Sequence, residues 1–164
     1  MPDHARHILQ YAGRLLSRKA YSEHALRQKL TGRFGPDPAI ENVIDKLKAL
    51  NYLNDLQLAA DLAAGWAGRK GWGSRRIRHE LQSRGYAGEA VEAAAARADA
   101  EHEPGQRLEE AVAKWLRIHG APGRLGDLKR LENYLLRQGF EPHLIGKRIS
   151  AISILPEENE HDRE

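Results

Sequence analysis

An all-α fold of three tandem three-helix modules, arranged as an elongated, curved helical array, is what the sequence predicts, on three observations. Alanine and leucine dominate while aromatic residues make up only 6%, a mixture that enters helices at little entropic cost and supplies few of the β-branched residues that sheets favour. Apolar residues recur at spacings of three and four, as in Ile8, Leu9, Ala12, Leu15 and Leu16, which is the period of one helix face. The whole pattern then returns about fifty residues later, the length at which repeat architectures stack one supersecondary unit on the next.

The repeat is legible in two stretches. "RKAYSEHALRQKL" (18–30) and "RKGWGSRRIRHEL" (69–81) align without a gap, sharing Arg18/Arg69, Lys19/Lys70, an aromatic at Tyr21/Trp72, an aliphatic at Leu26/Ile77, Arg27/Arg78 and Leu30/Leu81. A third copy anchors at Leu135, with Leu131 four residues earlier and "LRQGF" after it, as "TGRF" and "QSRGY" follow the first two anchors. It departs in having Gly126 at the aromatic position and Glu132 at the arginine.

Start and stop signals divide each copy into three helices. In residues 1–53, the first module, Ser22 caps a second helix that carries Glu23 in its first turn, Gly35 ends it, and Asp37-Pro38 opens a third lined by Ile40, Val43, Ile44 and Leu47. The second, basic module, 54–103, begins at Asn54 with Leu58, Leu62 and Trp66, resumes at Gly73-Ser74 with Ile77 and Leu81, and ends in the alanine-rich "GEAVEAAAARADA". "EHEPGQ" reads as the break before the third module, 104–155, whose stripes are Leu108, Val112, Trp115 and Leu116, then Leu128, Leu131, Leu135 and Leu136, then Leu144, Ile145 and Ile149. Residues 156–164 form an acidic tail, read as disordered.

Charge is segregated along the chain, which the net +3 conceals. Residues 1–36 carry seven Lys/Arg against two Asp/Glu, residues 66–86 six against one, and residues 114–148 eight against three; residues 87–110 reverse this, with two against seven. Cysteine is absent, which excludes disulfides, thiolate chemistry and cysteine zinc sites. With no apolar run long enough to span a bilayer, the chain reads as soluble and cytoplasmic. Phosphate-loop, nucleophile-elbow and zinc-protease motifs are all missing, and His4 and His7, three apart, are too few for a metal site. The expectation is a non-enzymatic protein without cofactor or metal, acting as a monomer.

On a wheel of 100° per residue centred on Ile77, Leu81 shares the apolar side, Arg75 and His79 lie opposite, and Arg76 and Arg78 flank at about 100° to either side. All four are expected to point outward. A solvated face normally mixes signs so that i,i+4 pairs form; this one sets Glu80 alone against the cations of 69–84. Such a surface suits a polyanion, whose binding releases counterions. Arg69 and Lys70, read as a glycine-flanked loop, are placed to reach phosphates; Arg18, Lys19, Arg124, Lys129, Arg130, Lys147 and Arg148 are weaker candidates. Trp72 is expected to pack at the start of its helix, with base stacking as the lesser reading.

"YSEHALRQKL", "LKALNYLND", "RKGWGSRRIRHELQSRGY" and "YLLRQGF", in this order and spacing, resemble the RecX regulatory proteins, modulators of the RecA recombinase. The family usually has glycine and a second acidic residue where this chain has Asn51 and Asn54. The resemblance implies a non-enzymatic regulator of recombination and DNA repair, linked to the SOS response. It would lie in the groove of the RecA filament on single-stranded DNA and limit filament growth, ATP hydrolysis and strand exchange, with bare DNA as a further partner. The DNA- and filament-binding set is then Arg69, Lys70, Trp72, Arg75, Arg76, Arg78 and His79, with Arg18, Lys19, Lys147 and Arg148. Two alternatives stand beside it: a helix-turn-helix-like protein acting on duplex DNA, and a helical scaffold that binds only protein.

Overall fold

The computed structural model describes residues 2–152; the acidic tail expected at 156–164 lies outside them. Among the described residues every regular element is a helix: α1 Pro2–Leu16, α2 Glu23–Phe34, α3 Pro38–Ala49, α4 Asp55–Lys70, α5 Ser74–Ser83, α6 Gly88–Glu101, α7 Pro104–His119, α8 Leu125–Gln138 and α9 Pro142–Ser150. None is long and apolar enough to cross a membrane. The chain forms two compact units, one of Met1–Ala63 with Arg78–Ala96, the other of Ala64–Ile77 with Arg97–Glu164. Helices α4, α5 and α6 contribute residues to each.

In the first unit α1, α2 and α3 enclose Ile8, Ala12, Leu26, Leu30, Ile40, Val43, Ile44, Leu47 and Leu53. Their boundaries follow from the caps read in the sequence. Ser22 Oγ accepts from the Ala25 amide at 3.2 Å and Asp37 Oδ1 from the Ala39 amide at 2.7 Å, each satisfying a donor that the first helical turn leaves without a partner. The carboxyl end of α3 depends on Asn51, a non-glycine residue at φ 58°. There the Tyr52 amide reaches Leu47 O and the Asn51 amide reaches Lys48 O, both at 2.9 Å. This is the Schellman arrangement, and asparagine is the side chain that replaces glycine in it at least cost.

The similarity of "QSRGY" and "LRQGF" has the same origin. Gly85 and Gly139 both have positive φ; Tyr86 N bonds Leu81 O and Phe140 N bonds Leu135 O, so each anchoring leucine receives the amide of a buried aromatic. The first copy differs, because Phe34 still belongs to α2 and Gly35 ends the helix through Thr31 O.

Two other repeated identities are also packing devices. Arg27 Nε donates to Glu41 at 2.7 Å and Arg78 Nε to Glu92 at 3.0 Å, each pair fourteen residues apart. Each clamps the second helix of a trio to the third. The Lys19 ammonium stands 4.7 Å from the Tyr21 ring centre and that of Lys70 4.4 Å from Trp72, a cation over an aromatic face in both copies. The third copy has Glu132 and Gly126 at the corresponding places and cannot form either pair.

In the second unit α7, α8 and α9 close over Leu108, Val112, Trp115, Leu131, Leu135, Phe140 and Ile145. The break in "EHEPGQ" is only two residues wide, because the Glu103 carboxylate caps α7 through the Gly105 and Gln106 amides at 3.0 and 2.7 Å. His4 is tied to Asp37 at 3.1 Å, and His7 is exposed.

Asn51 and Asp55 generate two predictions. Asn51→Ala should lower stability by about 1 kcal/mol, the cost of a β-carbon in the left-handed region without asparagine's local compensation, whereas Asn51→Gly should be neutral or stabilising; chemical denaturation distinguishes the two. The second concerns pH. Hydrogen bonds from Lys48 and Arg27 hold the Glu23 carboxyl below its ordinary value, and Arg27 does the same for Glu41. Their contribution is complete above the unfolded carboxylate range and is lost as the pH falls through the depressed values. Burial pushes Asp55 the other way, so its ionised form opposes folding at neutral pH and protonation relieves that penalty. Asp55→Asn keeps an acceptor for the Glu23 amide, now 2.9 Å from Asp55 Oδ1. It should leave the melting temperature at pH 7 unchanged or higher and steepen its fall below about pH 5.

Candidate nucleic-acid interface

The segment 69–79 is shaped by the close approach of two helix ends. Helix α4 runs through Arg69 and Lys70, which therefore end a helix instead of lying in the loop expected from the flanking glycines. It stops at Gly71, where φ is +63°. There the Gly71 amide bonds Ala67 O at 3.1 Å and the Trp72 amide bonds Trp66 O at 3.2 Å. The alanines before Arg69 favour that extension against the cost of Gly65 and Gly68, and basic residues in a last turn are favoured by the helix dipole.

Helix α5 then begins directly against the end of α8. The Gly73 amide donates to Gln138 O at 2.8 Å and the Arg75 amide to Gly139 O at 3.0 Å. Donors that the start of a helix leaves over thus meet acceptors that the end of another leaves over, with opposite dipole ends facing. The approach admits no side chain on either strand of the contact. A β-carbon on Gly73 would lie 2.2 Å from Gly139 O, and one on Gly139 would lie 2.3 Å from Arg76 Cβ.

A buried polar relay holds the turn from behind. Arg107 is 4% exposed; its Nη1 donates to the Trp72 carbonyl and its Nη2 to Asp99 Oδ1. Ser74 Oγ donates to the same carboxylate, 2.6 Å from Oδ1 and 2.8 Å from Oδ2. Its hydroxyl is spent across to α6 rather than on its own helix. Sequence reading missed this relay: Arg107 sits in the acidic block 87–110, and nothing in its spacing links it to Trp72 or Ser74.

The predicted side chains take up different roles. Ile77 and Leu81 are fully buried, as the wheel requires, and Arg75 and His79 are exposed. Arg76 and Arg78, expected to point outward, are half-buried instead. A flank at about 100° from the core is within reach of neighbouring elements: the Arg76 guanidinium lies 4.0 Å from the Trp72 ring centre and 3.4 Å from Gln138 Oε1, while Arg78 is held by Glu92. Trp72 is half-buried; its ring meets Trp66 at 5.4 Å as well as Lys70 and Arg76. Lys70, Trp72 and Arg76 are therefore one cluster. Arg148 pairs with Glu109 at 2.7 Å. Arg18, Lys19, Arg69, Lys70 and Lys147 are exposed, and no carboxylate pairs with them or with Arg75 among the described residues.

The described residues form a helical protein with a carboxylate-poor cationic segment, and comparison with known proteins gives its family. Residues 9–47 match the family model described as RecX, first three-helix domain, and residues 54–94 the one described as RecX, second three-helix domain. The regulatory protein RecX of Thermus thermophilus is 36% identical over 152 residues, covering 93% of this chain and 94% of the relative. That of Deinococcus radiodurans is 30% identical over 156 residues, covering 93% and 72%. This chain belongs to the RecX family. Its fold is shared with the crystal structure of RecX from Lactobacillus salivarius, with a TM-score of 0.83 at 17% identity over 94% of this chain and all of that one.

The relay carries a prediction. Arg107→Met leaves the Asp99 carboxylate and the Trp72 carbonyl without their donor and should cost about 3 kcal/mol in denaturant unfolding. The double variant Arg107→Met with Asp99→Leu should recover a large part of that loss, since no partly buried charge then remains unpaired.

Proposed function

We propose that this protein is a non-enzymatic regulator of homologous recombination and DNA repair that binds the RecA filament on single-stranded DNA and limits filament growth, ATP hydrolysis and strand exchange. Family membership supports the reading, and the observation that carries it in this chain is the set of exposed cations at Arg69, Lys70 and Arg75, which no carboxylate pairs among the described residues. Self-repulsion of such charges is relieved when phosphates neutralise them and counterions leave. The three-module division at 53 and 103, action as a monomer in the cytoplasm, and contributions from Arg18, Lys19, Lys147 and His79 belong to the same proposal. Arg76 and Trp72 act in it by holding the cationic cluster in shape, and Arg78 by joining α5 to α6.

The test is RecA's DNA-dependent ATPase and filament length with substoichiometric protein, together with titration of bare single-stranded DNA across salt. Inhibition of both RecA readouts is expected; unchanged RecA activity overturns the reading. Sequence-selective binding to duplex DNA would favour a helix-turn-helix role, and salt-independent binding to protein alone a scaffold. Replacing Arg69, Lys70 and Arg75 together by alanine should weaken binding without loss of helicity, the salt slope falling by about one for each phosphate contact removed.

A further inference from the structure

Beside the cationic turn, and wholly within the second unit, lies a polar pocket of about 230 Å³ bordered by Arg69, Lys70, Arg107, Lys114, Tyr134 and Gln138. Glu110 also borders it and accepts a hydrogen bond from Gln106 at 3.2 Å. Three exposed cations therefore face one carboxylate. Arg107 is nine-tenths buried, and although both its Nη atoms are bonded, its Nε–H has no acceptor among the described residues. A buried donor left without an acceptor is costly, and Arg107 borders the pocket. Gln138 turns its carbonyl oxygen to Arg76, which leaves its amide NH2 as a donor, and Tyr134 adds a hydroxyl.

We infer that this pocket receives a single phosphodiester phosphate of a nucleic-acid strand, which rests on the reading that the protein engages a DNA-containing filament. The donor set favours phosphate over a carboxylate. Planar carboxylates are matched by a free arginine fork, and the fork of Arg107 is already committed to Trp72 and Asp99. What remains is the guanidinium of Arg69, which pairs phosphate as well as carboxylate, with the ammonium groups of Lys70 and Lys114 and single donors spread over three helices, an arrangement suited to an oxyanion that presents acceptors in several directions. The volume admits that group with several waters, each taking about 30 Å³. Lys114 on α7 and Tyr134 on α8 thus join Arg69 and Lys70 at the end of α4 around one anion, although no sequence pattern links them.

Lys114→Gln and Tyr134→Phe test this, because Lys114 is exposed and the tyrosine change removes only an oxygen. Each variant is titrated with fluorescein-labelled oligothymidine over a range of salt, with circular dichroism confirming the fold. Lys114→Gln should weaken binding about threefold to tenfold and lower the salt slope by about one; Tyr134→Phe should weaken it with the slope unchanged, and Lys114→Arg should restore both. Wild-type affinity and slope in Lys114→Gln and Tyr134→Phe would overturn the assignment, as would polyglutamate competing as well as unlabelled oligothymidine at equal charge. The two readings fail separately. Oligothymidine binding that depends on Lys114 while RecA's ATPase stays untouched retains the pocket and removes the filament role. Restraint of RecA by variants that bind oligothymidine normally removes the pocket alone.

Discussion

The contact on which the second unit depends is between the amino end of α5 and the carboxyl end of α8, where two glycines let backbone meet backbone. Amides of Gly73 and Arg75 donate to carbonyls of Gln138 and Gly139, so neither helix end leaves those groups unsatisfied in a partly buried setting. Everything on the cationic turn takes its position from this junction. Trp72 enters it with its carbonyl held by Arg107, Ser74 leaves it bonded to Asp99, and Arg76 lies alongside Gln138. Either glycine replaced by a larger residue would drive a β-carbon into the facing main chain, for which no side-chain rearrangement compensates.

The repeat illustrates how a shared motif divides between architecture and function. Arginine at 27 and 78 looks like part of a basic surface, yet each makes an ion pair to a glutamate fourteen residues on. Lysine at 19 and 70 is set over an aromatic ring in both copies. The matched arginine thus joins the second helix of a trio to the third, and the matched lysine packs on a ring while staying exposed. The unmatched arginine at 75, the exposed Arg69 and the pocket-lining Lys114 carry charge that no carboxylate pairs among the described residues. A surface of this kind is stable in isolation only because water and salt screen it, and it exchanges that screening for phosphate readily.

Sequence by itself determined the helices and most of their ends, that of α4 excepted. Leucine and isoleucine spacing, Ser22, Asp37-Pro38 and the glycines after each anchor act within a few residues, so local chemistry decides them. The same locality made Ile77 and Leu81 legible as core and Arg75 as exposed. Tertiary structure alone decided the rest. Arg76 and Arg78 lie on helix flanks, where exposure depends on what packs alongside, and Arg69 and Lys70 are helical because α4 continues through Gly65 and Gly68 as far as Gly71. The relay from Ser74 through Asp99 to Arg107, and the pocket joining Arg69 to Lys114 and Tyr134, unite residues tens of positions apart. Their association is set by packing, which no local spacing encodes.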